Sequence, residues 1–220
     1  MEVAFRRALL ACWTAILVMV VVLSVYGSAP VRHAAGPLAL VDGGSDVAIE
    51  KAAAIKVGDP VQALPGGPTG PGGPPPPGRL VIRSIGVNAQ VVSVALDKDG
   101  SMGVTDQSYN VGWYSPGVVP GEPGDAVIDG HLDWYDTSRA VFYNLKSVSP
   151  GDEIEVQRLD GVTKHFKVTS VNSVSYNASV PGLFANSGSP RLSLITCGGP
   201  WSQKLGQYLD RVIVDASLST

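Results

Sequence analysis

Residues 192–199 are Leu192-Ser193-Leu194-Ile195-Thr196-Cys197-Gly198-Gly199, a largely apolar run that ends in a cysteine and two glycines. Its length and composition are typical of a buried β-strand that gives way to a loop. We therefore expect a strand over residues 192–196, with the thiol of Cys197 at the rim of a β-structure. Rigid scaffolds present reactive groups at such rims. The alternative is that Cys197 is a small buried side chain with no chemical role.

Similar short runs, rich in β-branched residues and separated by turn residues, recur from Arg79 to the end of the chain. Strands are predicted at Leu80–Ile82, Gln90–Val94, Ala126–Ile128, Glu153–Val156, His165–Val171 and Arg211–Val214. Asp97-Lys98-Asp99-Gly100 predicts a turn, and residues 140–145 predict a short helix. Seven or eight strands in one domain predict an all-β fold over residues 79–220, either a closed barrel or a sandwich.

Composition and charge limit the classes of partner. The chain has 220 residues, 45% of them hydrophobic and 16% charged, which is enough to form a packed core. Its formal net charge is −3, and its 16 lysines and arginines are spread along the sequence. Proteins that bind a phosphate backbone carry a concentrated basic surface. We therefore exclude nucleic acid as a partner.

The N-terminal region predicts a membrane anchor. Residues 8–26 are 19 residues without a charge, preceded by Arg6 and Arg7. A helix of this length spans about 28 Å, close to the hydrocarbon thickness of a bilayer. The paired arginines place the N-terminus in the cytoplasm and the rest of the chain outside the cell membrane. A signal peptide cleaved after Gly27 is the competing interpretation, but the apolar run is longer than such segments usually are.

Between the anchor and the β-domain, residues 28–78 are dominated by Ala, Gly, Pro, Ser and Asp and show no regular hydrophobic period. The composition predicts a disordered stalk that holds the domain away from the membrane. The domain organisation is therefore a cytoplasmic tip and anchor at 1–27, a stalk at 28–78 and a folded domain at 79–220. The two cysteines, Cys12 and Cys197, fall on different sides of the membrane boundary and cannot form a disulfide.

A catalytic cysteine needs a neighbouring base or cation, because a cysteine thiol is mostly protonated at neutral pH. His131 ends the strand that begins at Ala126, so it leaves its strand at the same kind of edge as Cys197. Arg211, at the start of the last strand, can stabilise an oxyanion with a fixed charge and several donors. His165 lies in an alternating strand, where we expect it to face solvent.

Metal sites are the competing interpretation of two segments. Asp129-Gly130-His131-Leu132-Asp133 contains possible ligands, but no HExxH or CxxC motif supplies the rest of a zinc site. The spacing of Asp97, Asp99 and Ser101 suggests a calcium loop. Met102 occupies the position of the loop glycine, and we reject that interpretation. No metal site is predicted.

In combination, these motifs resemble the sortases, cysteine transpeptidases on the outer membrane face of Gram-positive bacteria. Asp129-Gly130-His131 resembles the segment with the family's histidine, and Leu194-Ile195-Thr196-Cys197 resembles its Thr-Leu-x-Thr-Cys box. Arg211-Val212-Ile213-Val214 resembles the strand that carries its arginine. The DGHxD stretch and the glycines after Cys197 are most similar to classes E and F. Ser193 replaces the usual threonine of the box and keeps its hydroxyl.

The resemblance implies an eight-stranded β-barrel and a two-step reaction that needs no cofactor. Cys197 would attack the Thr-Gly bond of an LPxTG or LAxTG sorting signal and form a thioester. His131 would act as general acid and then general base, and Arg211 would hold the oxyanion. The acceptor amine would come from a lipid II cross-bridge or a pilin lysine. Substrate contacts are expected from Thr196, Asp133 and Trp134.

Two other classes of function remain open at this stage. The first is a different extracellular thiol hydrolase, although a papain-like order of Cys before His and a Ser-His-Gly-Cys box are both missing from the sequence. The second is a membrane-tethered β-module for adhesion or wall contact, in which Cys197 is inert. Cleavage of a sorting peptide that depends on Cys197 distinguishes the sortase hypothesis from both.

Overall fold

The computed structural model describes residues 73–136 and 138–219 of the chain. Over these residues it contains eight β-strands and two 3₁₀ turns. The strands are β1 Pro77–Ile82, β2 Val87–Val94, β3 Val111–Tyr114, β4 Asp125–Gly130, β5 Glu153–Arg158, β6 Thr163–Ser175, β7 Arg191–Ser202 and β8 Gln207–Leu218, and the 3₁₀ turns are Arg83–Ile85 and Leu145–Ser147. β1 begins two residues before the predicted start of the domain at Arg79.

The strands close into a single barrel in the order β1-β2-β3-β4-β7-β8-β6-β5. Neighbouring strands are antiparallel, apart from the parallel pairs β2–β3 and β4–β7. The predicted all-β class is confirmed, and of the two predicted architectures the barrel is the one that forms. The parallel pair β4–β7 matters most for function, because it brings the segment after Asp129 next to the segment after Ile195.

Alternating side chains fill the barrel. Leu192 and Leu194 of β7 point inward and are fully buried together with Leu80, Ile128 and Trp113. Burying a leucine or isoleucine side chain contributes about 1.5–3 kcal/mol to the free energy of folding. The Trp113 indole N–H is also satisfied, since it donates to the carbonyl of Val118 at 2.9 Å. These contacts make the barrel a rigid base for the residues on its outside.

A second apolar cluster lies on the outer face of the barrel. We call it the outer cluster, and it consists of Met102, Tyr114, Val127, Phe184, Ile195 and Ile213. Because successive residues of a strand point to opposite faces, Ile195 and Ile213 face away from the barrel interior. Phe184 contacts Tyr114 edge-to-face, with ring centroids 5.1 Å apart, and has a left-handed backbone with φ of 66°.

Three details of the predicted fold are wrong. β3 was missed, since its four residues Val-Gly-Trp-Tyr are too few to show a pattern. The helix predicted at residues 140–145 is a series of turns with i to i+3 hydrogen bonds, followed by the 3₁₀ turn Leu145–Ser147. Cys197 lies within β7 rather than at its end, because pairing with β8 resumes at Trp201 after a register shift.

Among the described residues, no helix is long and apolar enough to cross a membrane. The predicted anchor at residues 8–26 and nearly all of the predicted stalk lie outside the described part of the chain.

Candidate active site

The register of β7 and β8 places Cys197 directly opposite Arg211. Directly opposite residues of an antiparallel pair point to the same face, with Cβ atoms about 4.5–5.5 Å apart. That face is the outer one, because Cys197 follows Ile195 by two residues and Arg211 precedes Ile213 by two. The structure therefore brings together a thiol and a guanidinium that are 14 positions apart in the sequence.

The register of β4 and β7 places His131 beside Cys197. From Asp125↔Arg191 to Asp129↔Ile195 the two parallel strands pair with a constant offset of 66 residues. His131 and Cys197 are also 66 residues apart, so the same offset, continued past the end of β4, aligns them. Cys197 and Arg211 thus lie on adjacent strands, and His131 directly follows the strand on the other side of Cys197.

Arg211 is almost completely buried, with 1% of its surface exposed. Its Nη1 donates to the main-chain carbonyls of Asp210 and Tyr208, at 2.8 and 3.1 Å. Nε and Nη2 are buried and have no hydrogen-bond partner within the described part of the chain. Buried donors in folded proteins are nearly always paired. Two donors of Arg211 are therefore available to an oxygen that arrives next to Cys197.

Burial and the neighbouring negative charges shift the pKa of Arg211 in opposite directions. Burial lowers the pKa of Arg211 from its usual value, while the negative charges of Cys197 and Asp210 oppose that shift. Arginine nevertheless remains a cation at neutral pH. Since few waters screen a buried charge, the guanidinium favours the thiolate form of Cys197 over the neutral thiol.

A cleft of about 500 Å³ adjoins Cys197. Its walls come from residues 142–146, from β6 and from the segment around Gly198. Lys146 and Asp210 are the charged residues that line it. Cys197 is partly exposed, and its sulfur is not part of a disulfide. A reagent or substrate can therefore reach the site.

Thr196 connects the two strands that carry the pair. Its Oγ1 donates to the carbonyl of Gly130 at 2.7 Å, and the side chain is buried. Gly130 immediately precedes His131, and Thr196 immediately precedes Cys197, so this bond fixes the spacing of His131 and Cys197. The predicted contact between Thr196 and a substrate stays a prediction.

The other two predicted substrate contacts lie close to His131. The ring of Trp134 packs edge-to-face against the imidazole, with centroids 4.9 Å apart. Asp133 accepts a hydrogen bond from the hydroxyl of Tyr208. Both side chains thus belong to the surroundings of the site, and their contact with a substrate stays a prediction.

Asp129 is a buried carboxyl group on the outer side of β4. Burial raises its pKa well above the usual value, and main-chain N–H groups of Asp129 and Gly112 oppose the shift only in part. Its Oδ1 has no hydrogen-bond partner among the described residues. The group is directed at Gly112, where any larger residue would collide with it. Burial therefore favours the protonated form of this carboxyl group more than it would in water.

The sequence did not reveal two residues of the site. Tyr208 holds Asp133, and the carbonyl of Thr105 lies 2.7 Å from Nε2 of His131. A main-chain contact leaves no trace in residue type, so Thr105 could not have been found by motif. His165, in contrast, is exposed, as its alternating strand predicted, and it contacts Glu153 at 2.8 Å.

Comparison with known families agrees with this geometry. A family model described as the sortase domain matches residues 80–219, well over half of the chain. The chain belongs to the sortase family. Sortases are cysteine transpeptidases, and membership supports that class of activity here. No curated protein matches the chain.

Solved sortases share the fold of this sortase at low sequence identity. Sortase C-1 from Actinomyces oris is 24% identical, with a TM-score of 0.50, over 64% of this chain and 73% of that one. Sortase A from Corynebacterium diphtheriae is 21% identical, with a TM-score of 0.51, over 68% of this chain and 63% of that one. Sortase C2 from Group B Streptococcus pilus island 1 is 23% identical, with a TM-score of 0.50, over 65% and 73%. The assignment to class E or F stays a prediction.

Proposed function

We propose that this sortase cleaves a C-terminal sorting signal of the LPxTG or LAxTG type between Thr and Gly, and transfers the new carboxyl terminus to an amine. The amine belongs to a lipid II cross-bridge or a pilin lysine. The observation that carries the proposal is that Cys197 pairs with Arg211 on β8, while the parallel register of β4 and β7, continued past Gly130, aligns His131 with Cys197. A nucleophile, a proton carrier and a cation at one place are the requirements of acyl transfer through a thioester.

In the first half of the reaction, the thiol proton of Cys197 passes to the imidazole of His131. The thiolate attacks the threonine carbonyl carbon, and the carbonyl oxygen becomes an oxyanion. The two donors of Arg211 that have no hydrogen-bond partner in the described chain, Nε and Nη2, support a contact with that oxyanion. As the C–N bond breaks, His131 returns the proton to the leaving glycine amine, and a thioester remains on Cys197.

In the second half, His131 takes a proton from the incoming amine. The amine nitrogen attacks the thioester carbonyl, which again places negative charge on the oxygen beside Arg211. Collapse of this intermediate forms the new amide bond and releases the thiolate of Cys197, which regains its proton. His131 therefore serves as acid and base in alternation, which suits an imidazole near neutral pH.

The proposed location is the outer face of the cell membrane. The charge-free run at residues 8–26 after Arg6 and Arg7 supports a single-pass anchor with a cytoplasmic N-terminus. The Gly- and Pro-rich segment at 28–78 supports a spacer between anchor and barrel. Both proposed substrates are presented at that face.

A panel of fluorogenic peptides tests the proposal. The full chain is incubated with LPxTG, LAxTG and scrambled peptides, with and without a small amine acceptor. We expect cleavage between Thr and Gly of at least one motif peptide, transfer to the amine, and loss of both on Cys197→Ala. Cys12→Ala is the matched control and should retain activity. Cleavage that survives Cys197→Ala, or no cleavage of any motif peptide, contradicts the proposal.

A further inference from the structure

The imidazole of His131 has a defined set of contacts. His131 directly follows β4, and its main-chain carbonyl accepts a hydrogen bond from the N–H of Phe142 at 2.9 Å. The ring packs against that of Trp134 in a T-shaped arrangement. The ring nitrogen Nε2 lies 2.7 Å from the main-chain carbonyl oxygen of Thr105. The position of the ring is therefore set by packing and by one short hydrogen bond.

The chemistry of this bond determines where the ring hydrogen lies. A carbonyl oxygen can only accept a hydrogen bond, so Nε2 must donate. A neutral imidazole carries one N–H, which leaves Nδ1 of His131 without a hydrogen and able to accept a proton. In functional histidines, an oxygen commonly accepts a hydrogen bond from one ring nitrogen. That bond fixes the tautomer and leaves the other nitrogen free to react.

The carboxylates near His131 in the sequence are engaged elsewhere. Asp133 accepts from the hydroxyl of Tyr208. Asp129 is buried with its Oδ1 directed at Gly112, and burial raises the pKa of this carboxyl group. The position that a carboxylate holds in many nucleophile–histidine sites is thus taken here by a peptide carbonyl.

Thr105 is held firmly enough to orient a ring. It is 5% exposed, and its Oγ1 accepts from the N–H of Gln107 at 3.1 Å. Three residues earlier, Met102 is buried in the outer cluster and pairs with Leu96 in an isolated bridge. Gly103 N–H donates to the carbonyl of Ala95 at 2.7 Å. After Thr105, the carbonyl of Ser108 accepts from the N–H of Val141 at 2.9 Å, so the segment is attached on both sides of the loop that presents the carbonyl.

We propose that the main-chain carbonyl of Thr105 is a positioning group that holds His131 as the Nε2–H tautomer, so that Nδ1 exchanges the proton with Cys197. This inference rests on the proposed function for the identity of the proton donor. When Nδ1 accepts the thiol proton, the imidazolium still donates from Nε2 to Thr105, and that bond becomes charge-assisted. The carbonyl thereby stabilises the charged state of His131 that forms during the reaction.

Nitrogen NMR of the resting protein tests the tautomer. The full chain contains three histidines, so selective ¹⁵N-histidine labelling gives few signals, and His131→Gln identifies those of His131. In the neutral ring we expect Nε2 to show the shift of a protonated nitrogen and Nδ1 that of an unprotonated one. An Nδ1–H signal for His131 overturns the inference. No substrate is present, so this result does not depend on whether the chain cleaves a sorting signal.

A single-atom change in the backbone tests the role of the carbonyl. Replacing residue 106 by an α-hydroxy acid turns the Thr105 carbonyl into an ester carbonyl, which is a weaker acceptor. Asp106 is exposed, and lactic acid at this position is compared with Asp106→Ala, which has the same methyl side chain and a normal amide. We expect the ester to lower the rate of Cys197 alkylation by iodoacetamide and kcat for peptide cleavage by about tenfold, and to produce a mixture of tautomers.

Thr105→Ser tests whether the effect comes from the carbonyl of residue 105 or from its side chain. It keeps both the carbonyl and the hydroxyl that accepts from Gln107, and it should match the parent in tautomer and rate. An ester variant with parent-like tautomer and alkylation rate overturns the inference. A loss of alkylation rate in Thr105→Ser as large as that in the ester variant also overturns it. If the alkylation rate changes as expected but no motif peptide is cleaved by the parent, the proposed function fails while the role of Thr105 in the Cys–His pair stands.

Discussion

Cys197 and Arg211 occupy directly opposite positions on two antiparallel strands, so the guanidinium lies beside the thiol without any loop between them. Their spacing is fixed by the barrel's own hydrogen bonds rather than by a flexible segment. Arg211 is buried and only part of its hydrogen-bonding capacity is used by the main chain, which supports the proposal that it stabilises the negative charge that develops in acyl transfer.

Replacing Arg211 should separate activity from stability. We expect Arg211→Met to lower kcat by about 10²–10³-fold, as is usual when an oxyanion donor is lost. The melting temperature should stay equal or rise, because a buried cation with two unpaired donors is replaced by an apolar side chain of similar length. Arg211→Lys keeps the charge, and its kcat should lie between those of the parent and of Arg211→Met. Peptide cleavage and thermal unfolding measure the two effects, and a Met variant with parental kcat contradicts the assigned role.

Two glycines of the β7–β8 region that have a positive φ should differ in their tolerance of alanine. Gly199 and Gly206 both have a positive φ, of 71° and 62°, so alanine at either adds about 1–2 kcal/mol of backbone strain. A Cβ at Gly199 also collides with the carboxylate of Asp210, whereas none of the described atoms lies within 4 Å at Gly206.

We therefore expect both alanine variants to unfold at lower denaturant concentration, and only Gly199→Ala to lose cleavage activity. Gly206→Ala is the control for the backbone strain that both variants share. Equal activities in the two variants would show that the backbone after Cys197 has no influence on the site.

Stability should fall with rising pH because of Asp125. Burial raises its pKa to about 6, while Arg191 and Ser193 oppose the shift and Asp215 adds to it. A carboxyl whose folded-state pKa exceeds its unfolded value of 3.8 contributes stability below that value, and the contribution is lost as the pH rises through about 6. The shift corresponds to about 3 kcal/mol.

Asp125→Asn removes this titration and keeps an oxygen that can accept from Ser193. Between pH 4 and pH 7, the free energy of unfolding of the parent should decline relative to that of the variant by about 2.5 kcal/mol. Urea unfolding at several pH values measures the difference. Parallel pH profiles for the two proteins would contradict the assignment.

The bond between Thr196 and Gly130 should matter for both fold and site. Thr196→Val has nearly the same shape but leaves the buried carbonyl of Gly130 without this donor, which costs about 1–3 kcal/mol. We expect a lower free energy of unfolding and slower cleavage, because His131 and Cys197 follow these two residues directly. Thr196→Ser keeps the hydroxyl and should lie close to the parent in both measurements.

Most of the barrel could be predicted from sequence, since alternating or β-branched runs mark a strand wherever one face is buried. β7 was predicted too short because Gly198-Gly199-Pro200 is typical of a loop, whereas the pairing with β8 resumes beyond it. The short strand β3 was missed because all four of its residues are buried and show no alternation.

The grouping of His131, Cys197 and Arg211 was anticipated from strand edges and from the family resemblance. What the sequence could not show is how these side chains are held. The Thr105 carbonyl acts through the main chain, and the hydroxyl of Tyr208 meets Asp133 from 75 residues away. Both contacts depend on tertiary structure alone.

Intact-mass spectrometry of the acyl-enzyme tests the central claim most directly. The full chain is mixed with a cleavable sorting peptide without an amine acceptor, quenched in acid and digested to locate the adduct. We predict a mass increase equal to the peptide up to its threonine, carried by Cys197 and released by hydroxylamine. Cys197→Ala should show no adduct. An adduct on another residue, or peptide cleavage with no thioester at any time point, contradicts the account.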